Sequence, residues 1–213
     1  MLKRRWRTRC NRNQRERGQS LVEMALALPL LILVMAGTLE IGMYFNDYLT
    51  LNDAVREGAR YSADNDYLNV DPNNDCGVTV DFYKQAACLV KQNMHGVTFD
   101  PARDDIVVSA VSVKDGQVVA RYPSANGWSY CGNGLGGAGC VPAASLYSNA
   151  AILARLSQDA AFSTAPATGL VIVEIYHVHH QFLGLVPPGF PFIPQEVVQH
   201  AYTIMPLPSA TPP

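Results

Sequence analysis

An apolar run near the start dominates the pattern of hydrophobic and polar positions along the chain. No charged residue lies between Met24 and Leu39, and an extension of the run to Phe45 crosses only Glu40. About 20 such residues are enough for a helix to cross the hydrocarbon core of a bilayer. A secretory signal peptide has a shorter core with a small-residue cleavage site behind it. The pattern therefore predicts a membrane-spanning helix, with its membrane part at about residues 21–45.

The apolar run continues directly into an amphipathic helical pattern. Apolar residues recur at helical spacing at Ile41, Tyr44, Phe45, Tyr48, Leu51, Val55 and Ala59. After Pro29 no proline occurs before Ala63. We therefore predict one helix over residues 19–63, which at 1.5 Å per residue is about 65–70 Å long.

Beyond residue 63 the periodicity changes several times. Residues 80–94 have helical spacing, and Gly96 supplies a stop signal. Residues 106–113 alternate as a strand and are followed by Asp115-Gly116, a strong hairpin signal. A second helix is predicted at residues 144–161, and further strands at residues 168–180 and 194–206. The predicted fold class is α+β: a long N-terminal helix followed by a small head (residues 64–205) with an antiparallel sheet and one or two helices. The proline-rich tail, residues 206–213, is predicted to be extended or disordered.

The net charge of -2 hides a strong asymmetry. Residues 1–18 hold eight basic residues against Glu16 alone, a net charge of +7, and the remainder of the chain carries -9. Basic residues beside an apolar span stay in the cytoplasm. We therefore expect a basic cytoplasmic leader at residues 1–18, a single-pass anchor in the cytoplasmic membrane and an extracytoplasmic head. Nucleic acid is not an expected partner, because the acidic remainder of the chain would repel phosphates.

Cysteine usage agrees with export of the head. Cys10 lies in the leader, whereas Cys76, Cys88, Cys131 and Cys140 lie in the head. Four cysteines permit two disulfides in three connectivities. We favour the short-range pairing, Cys76 with Cys88 and Cys131 with Cys140, since the second pair would close a loop that contains five glycines; unpaired buried thiols are the alternative.

Glu23, near the start of the apolar run, has two interpretations. It can lie at the headgroup boundary, where an ionisable side chain costs little. Alternatively, the chain is cut after Gly18, so that Gln19 becomes a new terminus. Glu23 could then pair with the exposed α-ammonium group of the same or a neighbouring subunit, which would offset part of the cost of burying either charge.

These residues resemble a known family. Gly18 followed by "QSLV" and Glu23, after an arginine-rich leader, resembles the processing site of type IV prepilins. "GQSLVEMALALPLLILVMAGTLEIGMYF" with "LNDAVREGARYSA" is similar to the TadE-like family, pseudopilins or minor pilins of tight-adherence (Tad, Flp) pilus systems. The resemblance implies cleavage between Gly18 and Gln19 by a membrane-embedded prepilin peptidase, and docking of Glu23 on a neighbouring subunit. Major pilins of such systems have tyrosine after the glutamate; Met24 stands there in this chain, which favours an accessory subunit.

Two smaller motifs bear on packing and on metal binding. Gly58 and Ala59 are small enough to let a sheet or another helix approach closely. His177 and His179 would lie on one strand face, with His200 on a possible neighbouring strand, and are weak candidates for a metal site. No carboxylate or cysteine is obviously placed beside them. We therefore expect no metal and no cofactor. Enzymatic activity is not expected either, since the sequence has no G-x-S-x-G motif and no serine or cysteine with an inferable histidine and acid partner.

The sequence therefore favours a TadE-like pseudopilin or minor pilin, processed after Gly18, that takes part in Tad/Flp pilus assembly and surface adhesion. Its expected partners are the membrane, a prepilin peptidase, other pilins or pseudopilins and the Tad secretion machinery. It could also be incorporated into a surface pilus. The alternative is an uncleaved single-pass envelope protein with an exported binding head.

Overall fold

The structure, a computed structural model, describes residues 12–70, 81–124, 126–156, 167–182 and 196–211. The chain falls into two compact units, Met1–Met43 and Tyr44–Pro213, which we call the N-terminal unit and the larger unit. The elements are α1 (Arg12–Ala63), α2 (Phe82–Asn93), β1 (Asp105–Lys114), β2 (Gln117–Tyr122), β3 (Trp128–Ser129), α3 (Asn149–Leu156), β4 (Thr168–His180), β5 (Glu196–Pro206) and a short 3-10 turn, Pro208–Ala210. The predicted α+β fold class is confirmed.

Helix α1 ends at Ala63, as predicted, but begins at Arg12 instead of near Gln19. The earlier start has a local cause, because the arginines, Gln14 and Glu16 before Gly18 are good helix formers. A single glycine costs a helix only about 1 kcal/mol. Pro29 lies inside the helix.

Helix α2 forms where residues 80–94 predict a helix. The Asp81 carboxylate accepts a hydrogen bond from the Lys84 amide at 2.9 Å and so caps its first turn. Tyr83, Ala87 and Val90, which the helical spacing places on one face, are buried, and Phe82 and Ala86 are buried beside them.

The predicted hairpin is present. Strands β1 and β2 pair antiparallel, with Lys114 opposite Gln117 across a two-residue loop. The loop residues Asp115 and Gly116 have φ values of 51° and 70°. A two-residue hairpin loop that follows the twist of its strands needs positive φ at both positions, which Asp-Gly tolerates well.

Strands β4 and β5 are the two remaining predicted strands, and they complete the sheet. The strand order is β2-β1-β4-β5, and all neighbouring strands are antiparallel. The short β3 pairs with β1 at Val107 and Val108, on the edge of β1 away from β4. Strand β1 is buried from its first residue to Val113, as expected for a central strand covered on both faces. The sequence does not predict strand β3, which lies inside the glycine-rich loop of residues 123–142.

Each face of the sheet carries its own core. One face packs against the last part of α1 and against α2, with Leu51, Phe82, Ile106 and Val173 among the fully buried residues. The other face is covered by the segment around Tyr147 and by α3. The sheet is thus the middle layer of the larger unit.

Helix α3 begins at Asn149, later than the predicted start at residue 144. The residues before Asn149 are not helical because they bind other parts of the fold: the Ser145 amide donates to the Asn126 carbonyl at 2.8 Å. Ser148 then caps the helix by accepting from the Ala151 amide at 3.2 Å. Residues 157–161 of the predicted helix lie outside the described residues.

The prediction of an extended or disordered tail is wrong for its described part. Leu207 is fully buried, Ala210 is 2% exposed, and Ser112 donates a hydrogen bond to the Ala210 carbonyl at 2.6 Å. The apolar side chains of Leu207 and Ala210 pack in the hydrophobic core, which fixes this proline-rich stretch in place. Gly169 permits the close approach, since a Cβ at that position would lie 2.8 Å from the Ala210 Cβ.

Candidate functional site

The first candidate site is the apolar surface of α1. Its most hydrophobic 18-residue window, within Gln19–Ala63, has a mean hydropathy of 2.2, and none of that window is buried. The large apolar side chains here are exposed: Leu21, Val22, Met24, Leu26, Leu28, Leu30, Leu31, Ile32, Leu33, Val34, Met35, Leu39, Ile41, Met43 and Phe45. An exposed apolar surface of this extent marks a membrane or protein interaction site. The segment is long and apolar enough to cross a membrane.

The predicted processing and docking residues lie one helical turn apart at the start of this surface. Gly18 lies within α1. The Gln19 side chain donates from Nε2 to Glu23 Oε1 at 3.2 Å, and both residues are exposed. Positions four apart on a helix face each other. A positive group at position 19 would therefore lie within reach of the Glu23 carboxylate.

Two carboxylates bracket the uncharged part of the helix. The 16 residues from Met24 to Leu39 correspond to about 24 Å of helix, somewhat less than a hydrocarbon core of about 30 Å. If this segment crosses a membrane, Glu23 and Glu40 lie near the two ends of the span, where an ionisable side chain costs far less than at the bilayer centre.

Gly58 and Ala59 make a close contact, as the sequence predicts, and the neighbour is α2. Ala59 is fully buried. A Cβ on Gly58 would lie 2.6 Å from Val90 Cγ2 and 3.0 Å from the Ala86 carbonyl oxygen. These two small residues therefore let α1 and α2 pack closely within the larger unit.

His177 and His179, the weak metal candidates, lie on one face of β4 and are each bonded to a carboxylate. His177 Nδ1 lies 2.8 Å from Asp104 Oδ2, and His179 Nδ1 lies 2.8 Å from Asp47 Oδ2. The expectation that no carboxylate stands beside them is wrong, because Asp47 and Asp104 are distant in sequence and approach only through folding. A cleft of about 500 Å³ adjoins these residues and Phe99. Within the described ranges, no three histidine, cysteine or acidic residues form a group that could hold a metal ion.

His200 belongs to a different cluster. It lies on the neighbouring strand β5 opposite Tyr176, whereas His177 pairs with Gln199, so His200 faces the other side of the sheet from His177 and His179. There its Nε2 lies 3.1 Å from the fully buried Glu174 carboxylate.

The Glu174 carboxylate organises the segment that precedes α3. It accepts hydrogen bonds from the Leu146 amide at 3.0 Å and from the Ser145 hydroxyl. The Tyr176 hydroxyl donates to the Ala144 carbonyl at 3.0 Å. Burial, and then the nearby Glu174 charge, raise the pKa of Tyr176, so that its hydroxyl stays protonated and able to donate.

The Asp105 carboxylate organises the glycine-rich loop. Its oxygens accept from the amides of Cys131 at 2.9 Å and Ala143 at 2.7 Å, and from the Ser129 hydroxyl at 2.6 Å. Asp105 is 1% exposed. A buried carboxylate with this many donors holds both ends of the loop to the start of β1.

The same loop is closed covalently. Cys131 and Cys140 form a disulfide, the pairing that the sequence analysis favours. Cys88 is also disulfide-bonded; Cys76, the partner predicted for it, lies outside the described residues. The loop is therefore held by a covalent bond and by the Asp105 carboxylate together.

Sequence reasoning missed Asp104, Asp105 and Glu174, three of the acidic residues that are buried in the described part of the chain. A signal was available, since Glu174 interrupts an apolar strand in "LVIVEIY" and the two aspartates directly precede "IVVSAV". A carboxylate in a buried run requires hydrogen-bond partners, but their identity depends on the tertiary fold.

Comparison with known proteins gives a match within α1. Residues 18–60 match the family model described as TadE-like protein. No curated protein and no solved structure matches the chain. The matched range runs from Gly18 past Glu23 to Arg60, and so includes the exposed apolar surface and the close contact at Gly58. The resemblance noted in the sequence is thereby confirmed: residues 18–60 of this chain are similar to the TadE-like family.

Proposed function

We propose that this protein is a membrane-inserted TadE-like pseudopilin or minor pilin that takes part in the assembly of a Tad/Flp pilus and in surface adhesion. The match of residues 18–60 supports a protein associated with Tad pilus systems. The observation that carries the proposal is the exposed apolar surface of α1, which belongs to the same matched residues. The role is mechanical, without catalysis or a cofactor.

In this proposal α1 anchors the protein as a single pass through the cytoplasmic membrane. One helix of sufficient length and apolarity supports membrane association. The eight basic residues before Gln19 favour a cytoplasmic N-terminus. The larger unit would then lie on the extracytoplasmic side, in agreement with its disulfides.

The proposed assembly step depends on a charge pair that proteolysis creates. Cleavage between Gly18 and Gln19 by a prepilin peptidase would release an α-ammonium group one helical turn from Glu23. Solvent screening limits an exposed ion pair of this kind to about 0–1 kcal/mol. The same attraction can act between subunits, so that Glu23 of one copy binds the terminus of another pilin or pseudopilin.

Mass spectrometry of the protein extracted from membranes tests the processing step. A mature chain that starts at Gln19 supports the proposal. An intact leader on all of the membrane protein contradicts it and favours the alternative, an uncleaved single-pass envelope protein with an exported binding head. Replacement of Gly18 by alanine is the matched control, since it should block cleavage while the apolar segment stays intact.

A further inference from the structure

The end of the apolar segment can be located along α1 by length alone. A 20-residue span of about 30 Å ends at Glu40 if it begins at Leu21, and at Met43 if it begins at Met24. Either choice leaves Tyr44 within about 6 Å of the hydrocarbon edge, inside the headgroup layer. This step rests on the proposed function, because it assumes that α1 spans the membrane.

Tyr44 is also the first residue of the larger unit, and two strands contact it there. The Gln199 side chain of β5 donates from Nε2 to the Tyr44 carbonyl at 2.9 Å. The His179 ring of β4 meets the Tyr44 ring edge to face, with ring centroids 5.4 Å apart. The end of β4 and the start of β5 therefore lie beside the point where α1 leaves the lipid.

This end of the β4–β5 pair exposes apolar side chains. Phe182, two residues after β4, is 69% exposed, and Val198, near the start of β5, is 64% exposed. Residues 183–195, which join the strands, lie outside the described residues; in sequence they contain no charged side chain. A sequence without charged side chains is compatible with contact with lipid.

The acidic groups at this end are paired, although the larger unit as a whole carries a net charge of -7 from 8 basic and 15 acidic residues. Asp47 lies 2.8 Å from His179, and Glu196 lies 2.5 Å from Arg103. Pairing offsets part of the cost of bringing a carboxylate close to the bilayer. Tyrosine and phenylalanine side chains are well suited to the interfacial layer.

We propose that the membrane-proximal end of the larger unit, formed by the exposed Phe182 and Val198 beside Tyr44, rests in the headgroup layer of the leaflet at which α1 leaves the bilayer. Its partner is phospholipid. The larger unit is thus attached to the membrane by contacts of its sheet in addition to its covalent link to α1.

Site-specific crosslinking of the full chain in phospholipid vesicles tests this proposal. The photoreactive residue p-benzoylphenylalanine replaces Val198 in one variant and Phe182 in another. The matched control is the same replacement at Val119, a 53% exposed valine on β2, the strand at the opposite edge of the sheet. A labelled phospholipid in the vesicles reports the adduct.

We expect adducts with labelled lipid at positions 182 and 198 to exceed those at position 119 several-fold. Equal labelling at the three positions, or adducts with a second copy of the chain in place of lipid, would overturn the proposal. Resistance of the same samples to alkaline extraction separates the two hypotheses. An integrated chain without lipid adducts refutes the membrane-proximal contact alone, whereas a chain that washes off refutes the spanning helix as well.

Discussion

The buried Asp105 carboxylate gives the sharpest test of how the larger unit is held together. Its Oδ1 accepts from the amides of Ile106 at 2.8 Å and Cys131 at 2.9 Å, and its Oδ2 accepts from the Ser129 hydroxyl at 2.6 Å and the Ala143 amide at 2.7 Å. The two variants that probe it are Asp105→Ala and Asp105→Asn.

The expected losses follow from the number of donors left without an acceptor. A buried donor that loses its partner costs about 1–3 kcal/mol. Asp105→Ala leaves the amides of Ile106, Cys131 and Ala143 and the Ser129 hydroxyl without this acceptor, so we expect a loss of about 4 kcal/mol. In Asp105→Asn, either orientation of the amide turns an NH₂ group towards at least one backbone N–H, so we expect about 2 kcal/mol.

Urea unfolding of the full chain in a mild non-ionic detergent measures these losses. Trp128 fluorescence reports on β3 beside the site, in a Trp6→Phe background that removes the other tryptophan. Asp53→Ala and Asp53→Asn are matched controls, because the Asp53 side chain is 78% exposed, and they should change the unfolding free energy little. Losses at Asp105 no larger than those at Asp53 would refute this account of the loop.

Three further predictions concern the same unit. Replacement of Cys131 and Cys140 by serine should cost about 2.5–3 kcal/mol, since the bond closes a loop with a sequence separation of 9. Gly58→Val should cost about 1–3 kcal/mol, because its Cβ would lie 2.6 Å from Val90 Cγ2. The hydrogen bond from Arg103 lowers the pKa of Glu196, so this pair should stabilise the fold at neutral pH. The contribution of this pair to the unfolding free energy should decrease once the pH falls below the usual glutamate pKa of 4.5. It should be lost as the pH falls through the lower pKa of Glu196 in the folded protein.

Each of these predictions has a control in the same unfolding assay. The serine double variant should match the wild type once both are fully reduced; a difference that persists would show that the bond itself is not the cause. Glu57→Val changes the exposed neighbour of Gly58 and should cost less than Gly58→Val, and equal costs would contradict the packing argument. Glu196→Gln removes the charge of the Glu196 side chain, so this variant should be less stable than the wild type at neutral pH and equally stable at low pH. A difference that persists at low pH would contradict the assignment of Arg103 and Glu196 as a charge pair.

Local sequence signals were sufficient for most of the elements. The charge-free run and the helical spacing to Ala59 predicted α1, and β4 spans the same residues as its predicted strand, 168–180. Asp115-Gly116 predicted the hairpin because the backbone requirement of that turn is local. The Gly58 contact followed from residue size, although the sequence did not identify α2 as the neighbour.

The remaining features depend on contacts between residues distant in the sequence. The start of α3 is delayed by hydrogen bonds from residues 145 and 146 to Asn126 and Glu174, which no local pattern reveals. The prolines of the tail predict an extended or disordered chain, whereas the burial of Leu207 depends on the space beside Gly169. The histidine–carboxylate pairs join residues 73 and 132 positions apart.

The central claim is that the apolar helix is both membrane anchor and assembly surface, with Glu23 as the residue that binds a processed terminus. The most direct test is to count surface pili, in the organism that makes this protein, in cells that carry Glu23→Gln, with Glu57→Gln as the control for removal of an exposed carboxylate on the same helix. The account predicts that Glu23→Gln abolishes or strongly reduces pili while the protein stays in the membrane, and that Glu57→Gln has normal numbers. Normal pilus numbers in Glu23→Gln cells would contradict it.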